Sequence, residues 1–159
     1  MDYSLTNSIT FRSSIGPVDY GYNNVNGRLT MLAEDAISIN SSSNVATGRG
    51  YYSGTYRGVV ATPEGTSVIR ESIGGTIRMN ADFNNNTISG SDGKLSVSGT
   101  VSPTLQFFSG STTYFTEDSV LTGRASGTAG RLGLSLGFVG TDGDSGFAGG
   151  LTTGPLIAN

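Results

Sequence analysis

Hydrophobic and polar positions alternate most clearly between residues 75 and 101. In this stretch Ile77, Met79 and Ala81 alternate with polar side chains, which is the period-two pattern of a strand with one buried face. Three asparagines at 84–86 tolerate the left-handed backbone of a tight turn, and a second alternating segment and a Gly-containing turn follow. The pattern therefore predicts three consecutive antiparallel strands.

The same pattern continues on both sides of this stretch. Residues 48–62 predict one long strand with Tyr52 and Tyr56 on one face, and interior glycines such as Gly54 mark a bend or a close approach of another backbone. Turns are predicted at residues 63–65 and at the glycine pair 74–75. Further strands are predicted over residues 66–72, 104–109, 112–116, 119–126, 131–140 and 145–153.

Short strands at regular spacing with turns between them are typical of an all-β sandwich or barrel. Closing eight strands into a barrel would also remove the exposed sheet edges that a Thr- and Val-rich sheet must otherwise protect. The prediction is an all-β fold, an eight-stranded antiparallel up-and-down β-barrel with a less regular N-terminal segment. The predicted core residues are Ile77, Met79, Ile88, Leu95, Val97, Leu121, Leu132, Leu134, Leu136 and Phe138.

The first 47 residues are less regular than the rest. Residues 7–14 and 36–40 alternate well enough to be strands, residues 16–27 predict a long turn-rich connection, and residues 31–35 predict a helical turn. The predicted organisation is an N-terminal part, 1–47, packed on a barrel domain, 48–159.

Composition narrows the chemistry. The 159 residues include 25 glycines, only 13% charged residues and a net charge of −3, with no basic run, so no nucleic-acid partner is expected. Cysteine and histidine are absent, which excludes a Ser-His-Asp triad, a thiolate nucleophile and a His- or Cys-ligated metal site. No cofactor is expected, and no run of 18 apolar residues predicts a membrane-spanning helix.

The N-terminal residues 1–15 lack the basic and apolar regions of a signal peptide. The chain therefore either stays inside the cell or is a mature surface or secreted form. The low lysine content and the abundance of Ser, Thr and Asn favour the second interpretation.

Three pairs of acidic residues are candidate sites. Asp142 and Asp144 alternate in a Gly-containing loop, as in the first part of a calcium-binding loop, but no bidentate glutamate follows, so a solvated turn is favoured. The pairs at 34–35 and 117–118 are sequence neighbours, and neighbours on a strand point to opposite faces. Neither pair can flank a glycosidic bond by itself, and no metal site is predicted.

Aromatic side chains are better candidates for a binding surface. Phe107, Phe108, Tyr114 and Phe115 flank a predicted turn at 109–111, and one member of each adjacent pair must lie outside the barrel. Exposed aromatic side chains commonly form binding hot spots, although cross-strand packing explains the same residues. Two further candidates, in the predicted N-terminal connection, are Tyr20 and Tyr22.

Four segments together resemble a known family: YYSGTYRG (51–58), ADFNNNTISG (81–90), LTGRASG (121–127) and GFVGTDGDSGFAGG (137–150). In this order they resemble the barrel of transferrin-binding-protein-like surface proteins of Gram-negative bacteria, over residues 48–153. The resemblance implies an outer-membrane lipoprotein or a secreted binder of host proteins or haem. The chain departs from the family in lacking a lipoprotein cysteine and a second, handle-like domain.

These observations predict a non-enzymatic binding protein at the cell surface, anchored to the outer membrane or secreted. It would recognise a protein or a small ligand through loops and an exposed face. The alternative is a structural subunit of a filament, coat or virion, in which strands of different copies pair and the protein associates with itself.

Overall fold

The structure is a computed structural model that describes residues 8–25, 27–34, 46–65, 67–102, 107–141 and 145–159. These residues form two sheets. The smaller sheet contains β1 (Ser8–Ile15), β2 (Val18–Val25) and β3 (Arg28–Ala33). The larger sheet contains β4 (Arg49–Glu64), β5 (Ser67–Asp82), β6 (Thr87–Ser91), β7 (Leu95–Val101), β8 (Phe107–Phe115), β9 (Val120–Gly130), β10 (Gly133–Thr141), β11 (Gly146–Thr153) and β12 (Ile157–Ala158).

The larger sheet closes into a barrel. Each strand from β4 to β11 pairs antiparallel with the next, and β11 pairs back onto β4, from Gly146 opposite Ala61 to Thr153 opposite Gly54. The short β12 continues along β4, with Ile157 opposite Tyr51. The all-β, eight-stranded antiparallel barrel predicted from the alternation is therefore confirmed. The described part of the chain contains no helix of the length and hydropathy needed to cross a membrane.

Large side chains fill the barrel interior. Tyr52 and Tyr56 point inward from β4, and the Tyr52 hydroxyl donates a hydrogen bond to the carbonyl oxygen of Gly130 at 2.8 Å. The largest interior side chains with less than 2% exposure are Tyr52, Tyr56, Phe108, Phe138, Phe147, Met79, Ile88, Leu95, Leu121, Leu134, Leu136 and Leu151. Burial of this apolar surface is the main favourable term in folding.

The core prediction is confirmed at every position except Leu132, which is 59% exposed. Leu132 lies in the turn between β9 and β10, where the strand alternation does not apply. The other nine predicted core residues are all buried.

Two predicted turns are wrong. The glycine pair 74–75 lies inside the continuous strand β5, and residues 109–111 lie inside β8. In both places glycine makes room for a neighbour instead of turning the chain. A Cβ at Gly75 would lie 3.2 Å from the Tyr56 hydroxyl oxygen, and a Cβ at Gly110 would lie 2.2 Å from the Ser98 carbonyl oxygen.

Of the predictions for the N-terminal part, one is confirmed and two are wrong. The strand predicted at 7–14 is confirmed as β1, but the turn-rich connection at 16–27 contains β2, and the helical turn at 31–35 is wrong because Met31 pairs with Tyr22 in β3. Sheet pairing with β2 overrides the local preference of this segment. The strand predicted at 36–40 lies outside the described residues.

The small sheet packs on the outside of the barrel. Tyr20 and Tyr22 point toward the barrel wall and pack against Val59, Ala61 and Ala148. Glycines in the wall allow the close approach, since a Cβ at position 150 would lie 2.3 Å from the Ile15 side chain. The proposed division of the chain at residue 47 stays a prediction.

Candidate functional site

Strand β5 is longer than the strand beside it. It pairs with β4 along its whole length, but β6 pairs only with the segment from Met79 to Asp82. Among the described residues, the other edge of β5 from Ser67 to Arg78 therefore has no strand partner. We call this opening the β5 notch. It is bounded by residues 67–78 of β5, the β6–β7 turn at 92–94 and the β8–β9 turn at 116–119.

A cavity of about 460 Å³ lies in the β5 notch. Its walls come from all three boundaries, and they combine an aromatic surface with charged groups. The lining residues are Glu71, Lys94, Tyr114, Phe115, Thr116, Glu117 and Asp118. Five of these seven residues are polar or charged, so the recess is polar with one aromatic wall, and convergent polar groups of this kind fix the orientation of a bound partner.

Asp92 holds the turn that limits β6. Its Oδ1 accepts hydrogen bonds from the backbone N–H groups of Lys94 at 2.9 Å and Leu95 at 2.8 Å. Its Oδ2 accepts a hydrogen bond from the Tyr56 hydroxyl at 2.6 Å. The side chain therefore closes the turn and also ties it to the inner wall of the barrel, which fixes one boundary of the β5 notch.

These contacts shift the ionisation of both groups. Burial acts to raise the pKa of the Asp92 carboxyl, but the hydrogen bonds from Tyr56, Leu95 and Lys94 outweigh it and lower the pKa below its ordinary value. Burial, followed by the hydrogen bond to Asp92, raises the pKa of Tyr56 far above its ordinary value. The pair at neutral pH is therefore a carboxylate and a neutral phenol.

Tyr114 contributes a second neutral phenol to the cavity wall. Burial raises its pKa, and the negative charges of Glu71 and Asp92 raise it further. A phenol in that state donates a hydrogen bond and presents an apolar ring. Among the described residues no cluster of three or more acidic, His or Cys side chains is arranged to hold a metal ion.

The four predicted aromatic residues of β8 divide between the two faces of the strand. Phe108 and Tyr114 point into the barrel and are 1% and 7% exposed. Phe107 and Phe115 point outward and are 45% and 47% exposed. One member of each adjacent pair therefore lies outside, as the alternation predicts. The structure brings Tyr114 and Phe115 to the β5 notch and places Phe107 at the other end of β8.

Phe115 also forms part of an exposed apolar pair. It lies directly opposite Val120 across the β8–β9 ladder, and Val120 is 46% exposed. The two side chains form an apolar rim beside the cavity. Tyr20 and Tyr22, by contrast, are 6% and 2% exposed and form the core between the small sheet and the barrel.

The acidic pairs have different outcomes. Glu117 and Asp118 lie in the β8–β9 turn and line the cavity of the β5 notch. Glu34 borders a separate cleft on the outer face of the small sheet. Asp35, Asp142 and Asp144 lie outside the described residues.

Sequence reasoning missed the contributions of Glu71, Asp92 and Lys94. The signal that was available is the unequal length of consecutive predicted strands. A long strand at 48–62 followed by a hairpin with a turn as early as residue 92 implies that one strand extends beyond its neighbour.

No family model matches the chain, and no curated protein matches it by sequence. Solved structures do match. The fold is similar to isotype 1 transferrin-binding protein B from serogroup B Neisseria meningitidis, with a TM-score of 0.60, 14% identity and 93% of this chain covered. It is also similar to a double mutant of transferrin-binding protein B from Haemophilus parasuis, with a TM-score of 0.62, 12% identity and 96% covered.

The chain spans 33% and 38% of the length of those two proteins. Because each match covers more than nine-tenths of this chain, it includes residues of the small sheet as well as the barrel. The expected resemblance to transferrin-binding-protein-like barrels is therefore confirmed at the level of the fold.

Proposed function

We propose, from the barrel fold that this chain shares with transferrin-binding protein B, that it is a non-enzymatic binding protein exposed at a bacterial surface or secreted. Its recognition surface is the β5 notch together with the apolar rim formed by Phe115 and Val120. Its partner is a protein. A fold by itself does not determine function, so the proposal depends on this surface.

The observation that carries the proposal is the exposed pair Phe115 and Val120 beside the cavity. An aromatic and a β-branched side chain are each nearly half exposed at adjacent positions, although their chain neighbours Tyr114 and Leu121 are buried. Exposed aromatic side chains next to a recess are the usual anchors of protein–protein interfaces.

A protein partner is favoured over a small ligand inside the barrel. The interior is filled by Tyr52, Tyr56, Phe108 and other large side chains that are under 2% exposed. An eight-stranded barrel holds an internal ligand only when such side chains leave room for one. Recognition would therefore take place on the outside of the barrel.

The non-enzymatic role is supported by the composition. The chain contains no histidine and no cysteine, and the tyrosines at 56 and 114 are held in the neutral form. The surface or secreted location is supported by the single lysine and by the resemblance in fold, and it is tested by fractionating cells that express the native gene.

Assembly by strand pairing between copies is the second candidate function. The specific observation that favours it is the edge of β5 that no other described strand pairs with, because such an edge is a template for another strand. A protein that remains monomeric at high concentration in light scattering would exclude it.

A capture experiment tests the proposal. Purified protein is immobilised and exposed to host serum and to a surface extract of the producing cell, and the retained proteins are identified by mass spectrometry. The variant Phe115→Ser should lose the specific partner. Phe107→Ser is the matched control, since Phe107 is equally exposed on the same face of the same strand but lies at its other end.

A specific partner that is lost with Phe115→Ser and kept with Phe107→Ser supports the β5 notch as the recognition surface. Equal retention by both variants contradicts that assignment. If no partner is retained from either source, the proposal of a protein-binding barrel is wrong.

A further inference from the structure

The edge of β5 that has no strand partner in the described part of the chain presents a regular set of backbone groups. The Phe83 N–H donates to the Gly48 carbonyl at 2.8 Å, and this pair continues the unbroken register of β4 and β5. Because hydrogen-bonded pairs alternate along an antiparallel ladder, the odd-numbered residues of β5 bond to β4. The even-numbered residues direct their N–H and C=O groups toward the opening, and between positions 68 and 78 these are Val68, Arg70, Ser72, Gly74, Thr76 and Arg78.

Natural sheets rarely leave such an edge long and open. Edge strands are normally shortened, bulged, covered, interrupted by proline or protected by charged side chains, because an open ladder binds any extended chain of matching character. Of these protections the β5 edge carries only charges, those of Arg70, Glu71 and Arg78, which restrict the partner instead of blocking the ladder. Between Ser67 and Arg78 the register of β5 with β4 shows no bulge, and this segment contains no proline. The edge is therefore competent to accept an added strand.

The outer face of this edge is basic. Arg57, Arg70 and Arg78 are exposed on the outward face of the β4–β5 hairpin. Within the described ranges the one ion pair joins Arg49 to Asp82 at 3.2 Å, so these three arginines have no carboxylate at ion-pair distance there. A local excess of positive charge stands out in a chain whose net charge is −3.

The arginines are also held in place. The Arg70 guanidinium lies 4.5 Å from the centroid of the Phe11 ring, and that of Arg78 lies 3.7 Å from the Tyr51 ring. Stacking on an aromatic face leaves guanidinium N–H groups free to bind a carboxylate. Preorganised arginines lose less side-chain entropy when such a partner arrives.

Arg57 belongs to β4, yet it lies beside the edge. It is paired with Gly74, and a Cβ placed on Gly74 would lie 3.8 Å from Arg57 Cγ. With no side chain at position 74, the Arg57 side chain has access across β5 toward the opening. The three arginines are then at position 70, opposite position 74 and at position 78, at intervals of about 13 Å along the hairpin.

The inner face of the same edge is largely apolar. Ile69, Ile73 and Ile77 point to the barrel side, with one acidic residue, Glu71, and one glycine between them, and Ile69 is 57% exposed. An apolar side chain of an added strand would cover Ile69 and approach the Phe115 side of the cavity. The edge would therefore favour an added strand whose outward side chains are acidic and whose inward side chains include apolar residues.

We infer that the β5 edge binds an extended segment of a partner protein in which acidic residues alternate with apolar residues, by adding that segment to the sheet as a strand. The carboxylates would lie on the outer face near the three arginines, and the apolar side chains would point into the β5 notch. The inference rests on the proposed function, since it names the kind of partner and the way it is bound.

A second copy of this chain fits the edge less well. Antiparallel self-pairing centred on Gly74 would set Arg70 of one copy directly opposite Arg78 of the other, and like charges at opposed positions destabilise a sheet. Charge complementarity therefore favours a different, acidic partner.

The test uses a fluorescein-labelled peptide of alternating glutamate and valine, about ten residues long, to match a long strand. Binding to the intact protein is measured by fluorescence anisotropy up to about 1 mM protein, the range in which weak peptide complexes are detected. A peptide with lysine in place of glutamate tests the charge. A peptide of the same composition, in which all glutamates precede all valines, tests the alternation and is called the segregated peptide.

Two kinds of variant test the edge itself. Ser72→Pro removes an N–H that points to the opening and leaves the bonds between β4 and β5 in place, and Ser72→Ala is its matched control. Arg57→Gln and Arg78→Gln reduce the basic face, while Arg124→Gln on β9 is the control for a general charge effect. Circular dichroism establishes that each variant retains its sheet.

We expect the alternating glutamate peptide to bind, and the lysine peptide and the segregated peptide not to bind. Ser72→Pro should weaken binding of the glutamate peptide at least tenfold, and Ser72→Ala should not. Each arginine substitution should weaken it up to about fivefold, with a smaller effect in high salt. No binding, equal binding of the lysine peptide, or undiminished binding to Ser72→Pro would overturn the inference. If the protein forms a dimer that dissociates on Ser72→Pro substitution, the edge binds a second copy of the chain, and the inference is also overturned.

Strand addition at the β5 edge and the binding function of the protein can be refuted independently. A protein captured from serum or extract and retained equally by Ser72→Pro would refute strand addition but leave the binding-barrel function intact. An empty capture column would refute the proposed function, whatever the peptide does.

Discussion

The Tyr56 hydroxyl donates a 2.6 Å hydrogen bond to Asp92 Oδ2, and this bond joins the inner wall of the barrel to the turn between β6 and β7. A Cβ at Gly75 would lie only 3.0 Å from the same carboxylate oxygen. The contact therefore requires a tyrosine on β4, a glycine on β5 and an aspartate in the turn. It holds the end of the short β6–β7 hairpin beside the point where β5 extends past β6 and stays paired only with β4.

Removing the Tyr56 hydroxyl should destabilise the protein. In Tyr56→Phe the Asp92 carboxylate loses a hydrogen bond while it stays partly desolvated, and hydrogen bonds to charged groups contribute about 1.5–3 kcal/mol. We expect the free energy of unfolding to fall by about 2 kcal/mol in urea denaturation. Tyr51→Phe, which keeps the ring beneath Arg78, is the control and should change stability little. Equal losses for the two variants would contradict the role given to the Tyr56 hydroxyl.

Stability should depend on the ionisation of Asp92 in acid. Hydrogen bonds hold the pKa of this carboxyl below its ordinary value in the folded state, despite its burial. The contribution is therefore complete above the unfolded-state pKa, near 4, and is lost as the pH falls through the lower folded-state value.

The variant Asp92→Asn removes this titration. Compared with the wild type, its free energy of unfolding should change less steeply between about pH 4 and pH 2. The measurement is urea denaturation at a series of pH values. Parallel curves for the two proteins would show that the Asp92 pKa is not lowered by folding.

Asn24 is a buried polar residue whose replacement should stabilise the protein. It is 0% exposed between the small sheet and the barrel, and neither its Nδ2 nor its Oδ1 has a hydrogen-bond partner among the described residues. Leaving a buried polar group unsatisfied costs about 1–3 kcal/mol. We expect Asn24→Leu to raise the free energy of unfolding by about 1 kcal/mol, since part of the gain is lost to repacking.

The opposite substitution provides the control for Asn24. Asn24→Asp places a carboxyl in the same unsatisfied environment, and stability at neutral pH should fall. Thermal unfolding of both variants measures the difference. If Asn24→Leu is less stable than the wild type, the amide has a polar partner that stabilises it.

The alternation of side chains predicted the all-β class and nine of the ten core residues, whereas the choice of a closed barrel also depended on the removal of exposed sheet edges. Ile77, Met79, Leu134 and Leu136 are buried because a strand places every second side chain on one face. Alternation could not locate Leu132, because the strand ends before it and the turn follows its own geometry.

The remaining errors have a common physical cause. The glycines at 74–75 and 110 resemble turn residues, but they are needed where another chain segment or side chain passes close by, and only tertiary structure decides between the two uses. Tyr20 and Tyr22 resemble loop aromatics until β1 and β3 are placed on either side of them. Local sequence does not specify pairing between distant strands.

The candidate site was half predictable. Alternation predicted that one residue of the pair Tyr114 and Phe115 lies outside the barrel, but it did not predict which one. The contributions of Glu71 and Asp92 depend on how far β5 extends past β6. β5 pairs with β4 over sixteen residues and with β6 over four, and the sequence of neither strand shows this difference.

The central claim is that the β5 notch is the recognition surface. The most direct measurement is amide hydrogen exchange of the protein alone and of the protein bound to the partner captured from serum or surface extract. We expect slower exchange in the bound protein at Ser72, Gly74 and Thr76, whose N–H groups point to the opening, and around Phe115 to Val120. Slower exchange confined to other surfaces, such as the outer face of the small sheet, would contradict it.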